Sequence, residues 1–136
     1  MLNQLKFNGD PVLVTGGGQG IGRASCEALA ELGAHVIVVS KTEANVRETE
    51  DILKVSGASC EGHVTDVSVK AEVEALAASI ETTHGHIKAL INNAGTNFVQ
   101  KLENLEEDDW HRIIGIDLSS VYYMCKAFLP MLRNSQ

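Results

Sequence analysis

What the sequence lacks narrows it first. Its three cysteines, Cys26, Cys60 and Cys125, are odd in number, widely spaced and include no Cys-x-x-Cys pair. They do not form a disulfide frame and read as the reduced thiols of a cytoplasmic protein. There is no cluster of Lys or Arg. Instead 11 basic residues stand against 18 acidic ones, a formal charge of −7. That balance argues against nonspecific binding to nucleic acid or to an anionic membrane. No apolar run exceeds the length of a strand, so no segment is expected to span a bilayer. The opening residues, MLNQLKFNGD, lack the apolar core of a signal peptide. Repeats, low-complexity tracts and linkers are absent too. Hydrophobic residues make up 44% and charged residues 21%, an ordinary globular balance that excludes a disordered tail or a fibre. The 136 residues fit about one domain, spanning 1–136, and suffice to bury a core.

Strand-length apolar runs alternate with longer helix-periodic stretches. Val12 to Val14 is a short buried strand. Helical spacing runs from about Ile21 to Leu32, and Gly33 stops it. His35 to Val39 is a second, β-branched strand, followed by a polar amphipathic helix from Glu43 to Val55 that Ser56-Gly57 closes. A weaker third strand covers Ala58 to Val64. Ser68 is expected to cap a helix reaching about Thr83, with Val69, Val73, Leu76 and Ile80 on one face. Ile87 to Ile91 is the fourth strand. One last helix runs from near Glu106 to about Arg133, with Pro130 bending or ending it. Strands without alternation are buried on both faces. The pattern therefore predicts an α/β three-layer sandwich around a parallel sheet.

Between the first strand and its helix lies Thr15-Gly16-Gly17-Gly18-Gln19-Gly20-Ile21-Gly22. No three of these glycines have the G-x-G-x-x-G spacing; Gly16, Gly20 and Gly22 form G-x-x-x-G-x-G instead. The physics is shared. Gly16 permits the tight turn off the strand, Gly20 lets backbone approach a pyrophosphate, and Gly22 lets the helix pack closely. The helix N-terminus offers free N–H groups and a positive dipole end to phosphates. The bland alternative, a flexible glycine turn, is weakened by the strand-turn-helix context.

This loop resembles the T-G-x-x-x-G-I-G cofactor loop of the short-chain dehydrogenase/reductase family. Asn92-Asn93-Ala94-Gly95, directly after the fourth strand, resembles that family's N-N-A-G motif, and Asp66-Val67 matches a third, weaker position. The order and approximate spacing agree as well. The resemblance implies a Rossmann-type sheet with strand order 3-2-1-4. It also implies a cofactor site at Gly16, Gln19, Gly20, Ile21 and Gly22, with Asp66 and Val67 flanking the adenine. Asn93, Ala94 and Gly95 would approach the ribose and nicotinamide through their backbone. The resemblance covers the whole chain but only about the first half of a family member.

In a dinucleotide fold, an acid ending the second strand bonds the ribose 2′-hydroxyl of NAD and repels the 2′-phosphate of NADP. Ser40 and Lys41 stand there, a hydroxyl and a cation that suit a phosphate. NADP(H) is therefore expected rather than NAD(H). The alternative is that Lys41 is a solvated strand-end residue. Glu43 lies nearby but is expected to start the next helix.

The family's chemistry is hydride transfer between nicotinamide and a carbonyl or alcohol. It uses a Ser on the fifth strand and a Tyr-x-x-x-Lys on the following helix. The Lys charge favours the phenolate. This sequence stops at Asn134-Ser135-Gln136, about where the loop into that strand is expected. Tyr122 and Lys126 do form Y-x-x-x-K, but one helix too early. Ser119 and Ser120 share that helix and do not supply the Ser. Asp117 occupies the position of the family's Asn, which helps relay a proton. An ionised Asp only accepts hydrogen bonds and is expected to add a buried charge. Two functions stay open: the cofactor-binding part of an oxidoreductase acting on a small-molecule carbonyl or alcohol, and a non-catalytic nucleotide-binding protein that pairs with a full-length relative.

The last helix carries apolar residues on more than one face, from Trp110 to Leu129. In the family this helix commonly lies in a dimer interface, so a homo-oligomer is expected. With no further strand beside it, strand four would be an open apolar edge. His84 and His86 form H-x-H without a third ligand nearby in sequence, which reads as no metal site. His35, His63 and His111 read as structural or surface residues. Glu106, Glu107, Asp108 and Asp109 fit the first turn of the last helix, where carboxylates favour the dipole.

Overall fold

The computed structural model of the chain describes residues 6–135. The start of the segment weighed above as a signal peptide therefore lies outside the described residues. Strand β1 (Pro11–Thr15) leads through the glycine loop into helix α1 (Gly20–Glu31). Then come β2 (His35–Ser40), α2 (Glu43–Val55), β3 (Cys60–Val64) and α3 (Lys70–His84). β4 (Ala89–Ile91) follows. A 3-10 turn (Leu102–Asn104) precedes α4 (Glu107–Ile114), a π-helical turn (Gly115–Ser119) and α5 (Ser120–Arg133). Among the described residues no helix is long and apolar enough to cross a membrane.

The four strands form one parallel sheet in the order β3-β2-β1-β4. Successive strand side chains point to opposite faces, so each apolar run is shared between two cores. Leu13, Ile37 and Val39 pack with Val73, Ile80, Met124 and Phe128 under α3 and α5. Val12, Val14, Val36 and Val38 pack with Cys26 and Leu53 under α1 and α2. Each fully buried side chain of this size contributes roughly 1.5–3 kcal/mol. The unbroken β-branched runs are what a sheet covered on both faces requires. β4 ends the described sheet, and its three residues are only half-buried, as expected of an uncovered edge.

Several local expectations change. The third and fourth strands begin two residues later than expected, at Cys60 and Ala89. Ser68 does not cap α3. Its N–H and hydroxyl both donate to Asp66 Oδ1, at 3.0 and 2.6 Å, and the helix starts at Lys70 with no side-chain cap. Val69 precedes the helix and is exposed, whereas Val73, Leu76 and Ile80 are buried. The last helix is not uniform: a π-helical turn from Gly115 to Ser119 separates α4 from α5. Pro130 does not end α5, which continues to Arg133, where the Asn134 N–H donates to the Pro130 carbonyl at 3.1 Å. Pro130 is solvent-facing and close to the helix end, so its missing N–H disrupts little.

Candidate functional site

The carboxyl ends of β1, β2, β3 and β4 border one cleft of about 450 Å³. Its lining includes every residue that the sequence reading assigns to the cofactor: Gly16, Gln19, Gly20, Ile21, Gly22, Ser40, Lys41, Asp66, Val67, Asn93, Ala94 and Gly95. Val39, Thr42, Thr65, Thr96, Arg112 and Ile116 complete it.

The glycine loop is built for close approach. Gly16 turns off the strand with φ +65, in the left-handed region. A Cβ on Gly22 would strike the Gly16 carbonyl and lie 2.6 Å from Asn93 Nδ2. The closeness attributed to helix and sheet is thus closeness between helix and loop. A Cβ on Gly18, which sequence reasoning passed over, would lie 2.7 Å from Asn45 Cβ, so α2 also packs closely on the loop. A Cβ on Gly20 would meet nothing within 4 Å and would project into open space. Gln19 precedes α1 in extended backbone and makes no side-chain cap. The first N–H groups of α1, on the cleft wall, are therefore free to face an anion.

Side-chain hydrogen bonds hold this loop. Thr15 Oγ1 accepts the N–H groups of Asn93 and Ala94, each at 3.0 Å, and donates to the Ile91 carbonyl at 3.4 Å. Asn93 Nδ2 donates back to the Thr15 carbonyl at 3.1 Å and the Gly16 carbonyl at 3.4 Å. The Asn-Asn-Ala-Gly segment and the glycine loop thus form one hydrogen-bonded unit. From the other side, Arg23 Nη2 donates to the Gly18 carbonyl and to Glu48 Oε2, both at 2.7 Å. Arg23 Nε donates to Thr49 Oγ1 at 3.0 Å, and Thr49 donates to Gly18 O at 3.2 Å. Sequence reasoning gave Thr15 no role beyond the motif and passed over Arg23, because the partners of Thr15 are 76 to 79 positions away and those of Arg23 on α2 are 25 and 26 away. The two motifs themselves were the only available signal.

At the end of β2, Ser40 is half-buried and Lys41 exposed, and both face the cleft. Glu43 opens α2 as expected; it is not part of the lining and pairs with Arg47 at 3.8 Å. Lys41 and Arg112 are the basic side chains of the lining and Asp66 its single acid. The cleft is therefore cationic within a chain of net charge −7. Arg112 went unremarked in the sequence; its guanidinium lies 5.0 Å over the Phe98 ring. Asp66 keeps one carboxylate oxygen on Ser68, and its N–H donates to Glu72 Oε2 at 2.7 Å.

Asp117 departs from expectation. It stands on the π-helical turn, exposed rather than buried, and outside the cleft lining. Its Oδ1 accepts the Thr96 N–H at 2.7 Å, which ties the segment after β4 to the helix. An acceptor-only side chain suits that bond. Tyr122 and Lys126 share a helix face, with Nζ 3.3 Å from the phenol oxygen, but neither lines the cleft. The H-x-H pair also divides. His86 Nε2 lies 3.6 Å from Asp10, whereas His84 Nε2 lies 3.0 Å from Glu61. The acidic run lies where expected, with Glu106 preceding α4 and Glu107, Asp108 and Asp109 in its first turn.

Comparison with known proteins agrees with this geometry. The family model described as short chain dehydrogenase matches residues 10–136. The chain is 35% identical over 132 residues to the 3-oxoacyl-[acyl-carrier-protein] reductase FabG of Salmonella typhimurium, covering 97% of this chain and 53% of FabG. Among solved structures it resembles the Pseudomonas aeruginosa RhlG/NADP active-site complex, with TM-score 0.90 and 30% identity, over 96% of this chain and 51% of that one. It likewise resembles a short-chain dehydrogenase/reductase from Burkholderia phymatum in complex with NAD, with TM-score 0.88 and 33% identity, over 93% and 45% of the two chains. The chain spans about half the length of the relatives it matches. By its motifs, its strand order and this match, the chain belongs to the short-chain dehydrogenase/reductase family.

Proposed function

We propose that these residues form the cofactor-binding part of an oxidoreductase that uses NADP(H) in preference to NAD(H). The observation that carries the preference is the end of β2. Ser40 and Lys41 line the cleft there, and the next acid along the chain, Glu43, lies outside the lining and pairs with Arg47. Relatives in complex with NADP and with NAD both share this fold, which supports a nicotinamide dinucleotide in general.

The cleft fits such a group. Gly20 is open, the first N–H groups of α1 are uncapped, and two cations stand in the lining. Gly16, Gln19, Gly20, Ile21 and Gly22 would receive the pyrophosphate, with N–H groups and the helix dipole offsetting its charge. Ser40 and Lys41 would hold the 2′-phosphate by charge-assisted hydrogen bonds. Asp66 and Val67 would flank the adenine, and the backbone of Asn93, Ala94 and Gly95 would border the ribose and nicotinamide. The bound dinucleotide supplies or receives the hydride. The substrate is a small-molecule carbonyl or alcohol, and its Ser and Tyr-x-x-x-Lys partners come from outside these 136 residues. Exposure of Leu118, Tyr122 and Leu129 on the last helix supports a homo-oligomer through that surface, and the free cysteines support a cytoplasmic location.

A second reading is a non-catalytic nucleotide-binding form that pairs with a full-length relative. It is favoured by the placement of Tyr122 and Lys126 away from the cleft. The downstream reading frame separates the two: continuation into a strand with Ser and then Y-x-x-x-K supports the oxidoreductase. For the cofactor, titration with NADPH and NADH by fluorescence or calorimetry decides. Tighter binding of NADPH is expected, and equal affinities or an NADH preference overturn the reading.

A further inference from the structure

We propose a second site, a zinc site formed by His35, Glu61 and His84. It lies at the amino ends of β2 and β3, where α3 ends. His35 is the first residue of β2 and Ser40 the last, so the cofactor cleft is roughly 16 Å away along the strand. One ligand atom from each of the three side chains falls within 4.8 Å of the others. His84 Nε2 is 3.0 Å and His35 Nε2 3.9 Å from the two Glu61 oxygens. Donors around tetrahedral zinc stand about 3.3–3.5 Å apart, given metal–ligand distances of about 2.0–2.2 Å. The cluster thus needs only small side-chain movements to take the ion. All three side chains are half-buried and come from three separate elements.

His35 Nε2 is the observation that points to a ligand. It is buried and has no hydrogen-bond partner, although buried polar atoms are nearly always satisfied. Its other nitrogen, Nδ1, lies 2.6 Å from Ser59 Oγ. With Nδ1–H donating to Ser59, Nε2 presents a bare lone pair toward Glu61 and His84. That is the outer-shell arrangement that orients zinc-bound histidines. Burial also holds the His35 pKa below its ordinary value, which keeps the lone pair available near neutral pH. His63 Nε2, 3.2 Å from Glu61 Oε1, also holds the carboxylate in place. Two imidazoles and one carboxylate match the donor preference of Zn2+ and leave a fourth position for water. The ion would pin β2, β3 and the end of α3 together and stabilise the fold as its concentration exceeds the dissociation constant.

The test uses untagged, chelator-treated protein. Calorimetry with Zn2+ should show one ion per chain, Co2+ should give the visible bands of a four-coordinate ion, and zinc should raise the thermal midpoint. Glu61→Gln and His84→Ala should each weaken zinc by at least about 100-fold, and Ser59→Ala by about 10–100-fold. His86→Ala, the other member of H-x-H, should bind as the parent does. Circular dichroism confirms that each variant is folded, and His84→Gln replaces any His84→Ala protein that is not. Absence of zinc binding, six-coordinate Co2+, or unchanged affinity in folded Glu61→Gln and His84 variants overturns the proposal. NADPH titration of the same variants should be unaffected.

Discussion

Lys41 is a single exposed cation, yet it is the residue on which cofactor choice should turn. Lys41→Ala should weaken NADPH by about 1–2 kcal/mol, the scale of a charge-assisted hydrogen bond, and leave NADH nearly unchanged. Ser40→Asp should reverse the preference by placing a carboxylate against the 2′-phosphate. Parallel titrations of both cofactors check each variant. Gly20→Val should weaken both cofactors alike, because its side chain would project into the open cleft at a left-handed backbone position. These residues were legible in the sequence because Ser40 and Lys41 sit at the end of a recognisable strand and Gly20 in the glycine-rich turn that opens α1. Arg112 was not legible. It reaches the cleft only through the tertiary placement of α4, and no local pattern marks that.

At the scale of elements, the joint between β1 and the segment after β4 is made by the Thr15 hydroxyl and the Asn93 amide. Thr15 is buried and serves the N–H groups of two residues. Thr15→Val keeps the shape but leaves the Ala94 N–H unpaired, while the Asn93 N–H keeps the Ile91 carbonyl at 3.1 Å; the loss should cost about 1–3 kcal/mol in urea unfolding. Cofactor affinity should fall with it, because the glycine loop loses its anchor. An unchanged unfolding midpoint would show that water replaces the hydroxyl. The helices were legible from their apolar periodicity and stop signals, such as Gly33 and Gly57, both at positive φ. The π-helical turn was not. An apolar pattern continues through Gly115–Ser119, and only the contact of Asp117 with Thr96 shows what the wider turn positions.

For the whole molecule, two buried or half-buried carboxylates set the response to acid. Burial raises the pKa of Glu50, but hydrogen bonds from Arg47 and Lys54 outweigh it and bring the net value below the usual range. Glu61 behaves the same way, with burial opposed by His84 and His63. A depressed carboxylate stabilises the fold above its unfolded pKa of about 4.3, and that stability is lost as pH falls through the lower folded value. His35, also depressed, begins the loss earlier, below about 6.5, because the unfolded chain takes up its proton first. Urea unfolding of chelator-treated protein should therefore show stability declining from about pH 6.5 downward and more steeply below about 4.3. Glu50→Gln should flatten the lower part of that curve. The 136-residue chain should also not turn over carbonyl compounds. General acid–base catalysis contributes roughly 10²–10⁴-fold and needs a group within hydrogen-bond reach of the reacting oxygen. Tyr122 is not in the cleft lining. NADPH oxidation against a panel of aldehydes and ketones checks this, and turnover abolished by Tyr122→Phe would refute it.

The sequence alone determined the layered α/β plan and the glycine turn after β1, and its resemblance to the family implied the strand order and the other residues expected at the cleft. The plan and the turn follow from local periodicity and glycine chemistry, which act over a few residues. Tertiary structure decided the rest. It placed Asp117 at the surface on a backbone N–H, drew Arg23 beneath the glycine loop, and turned the His84 and His86 side chains toward different carboxylates. It also brought His35, Glu61 and His84 together from two strands and a helix. The physical reason is the parallel sheet. Its crossover helices bring residues 20 to 80 positions apart into contact, and nothing in the local sequence records which side chains will meet.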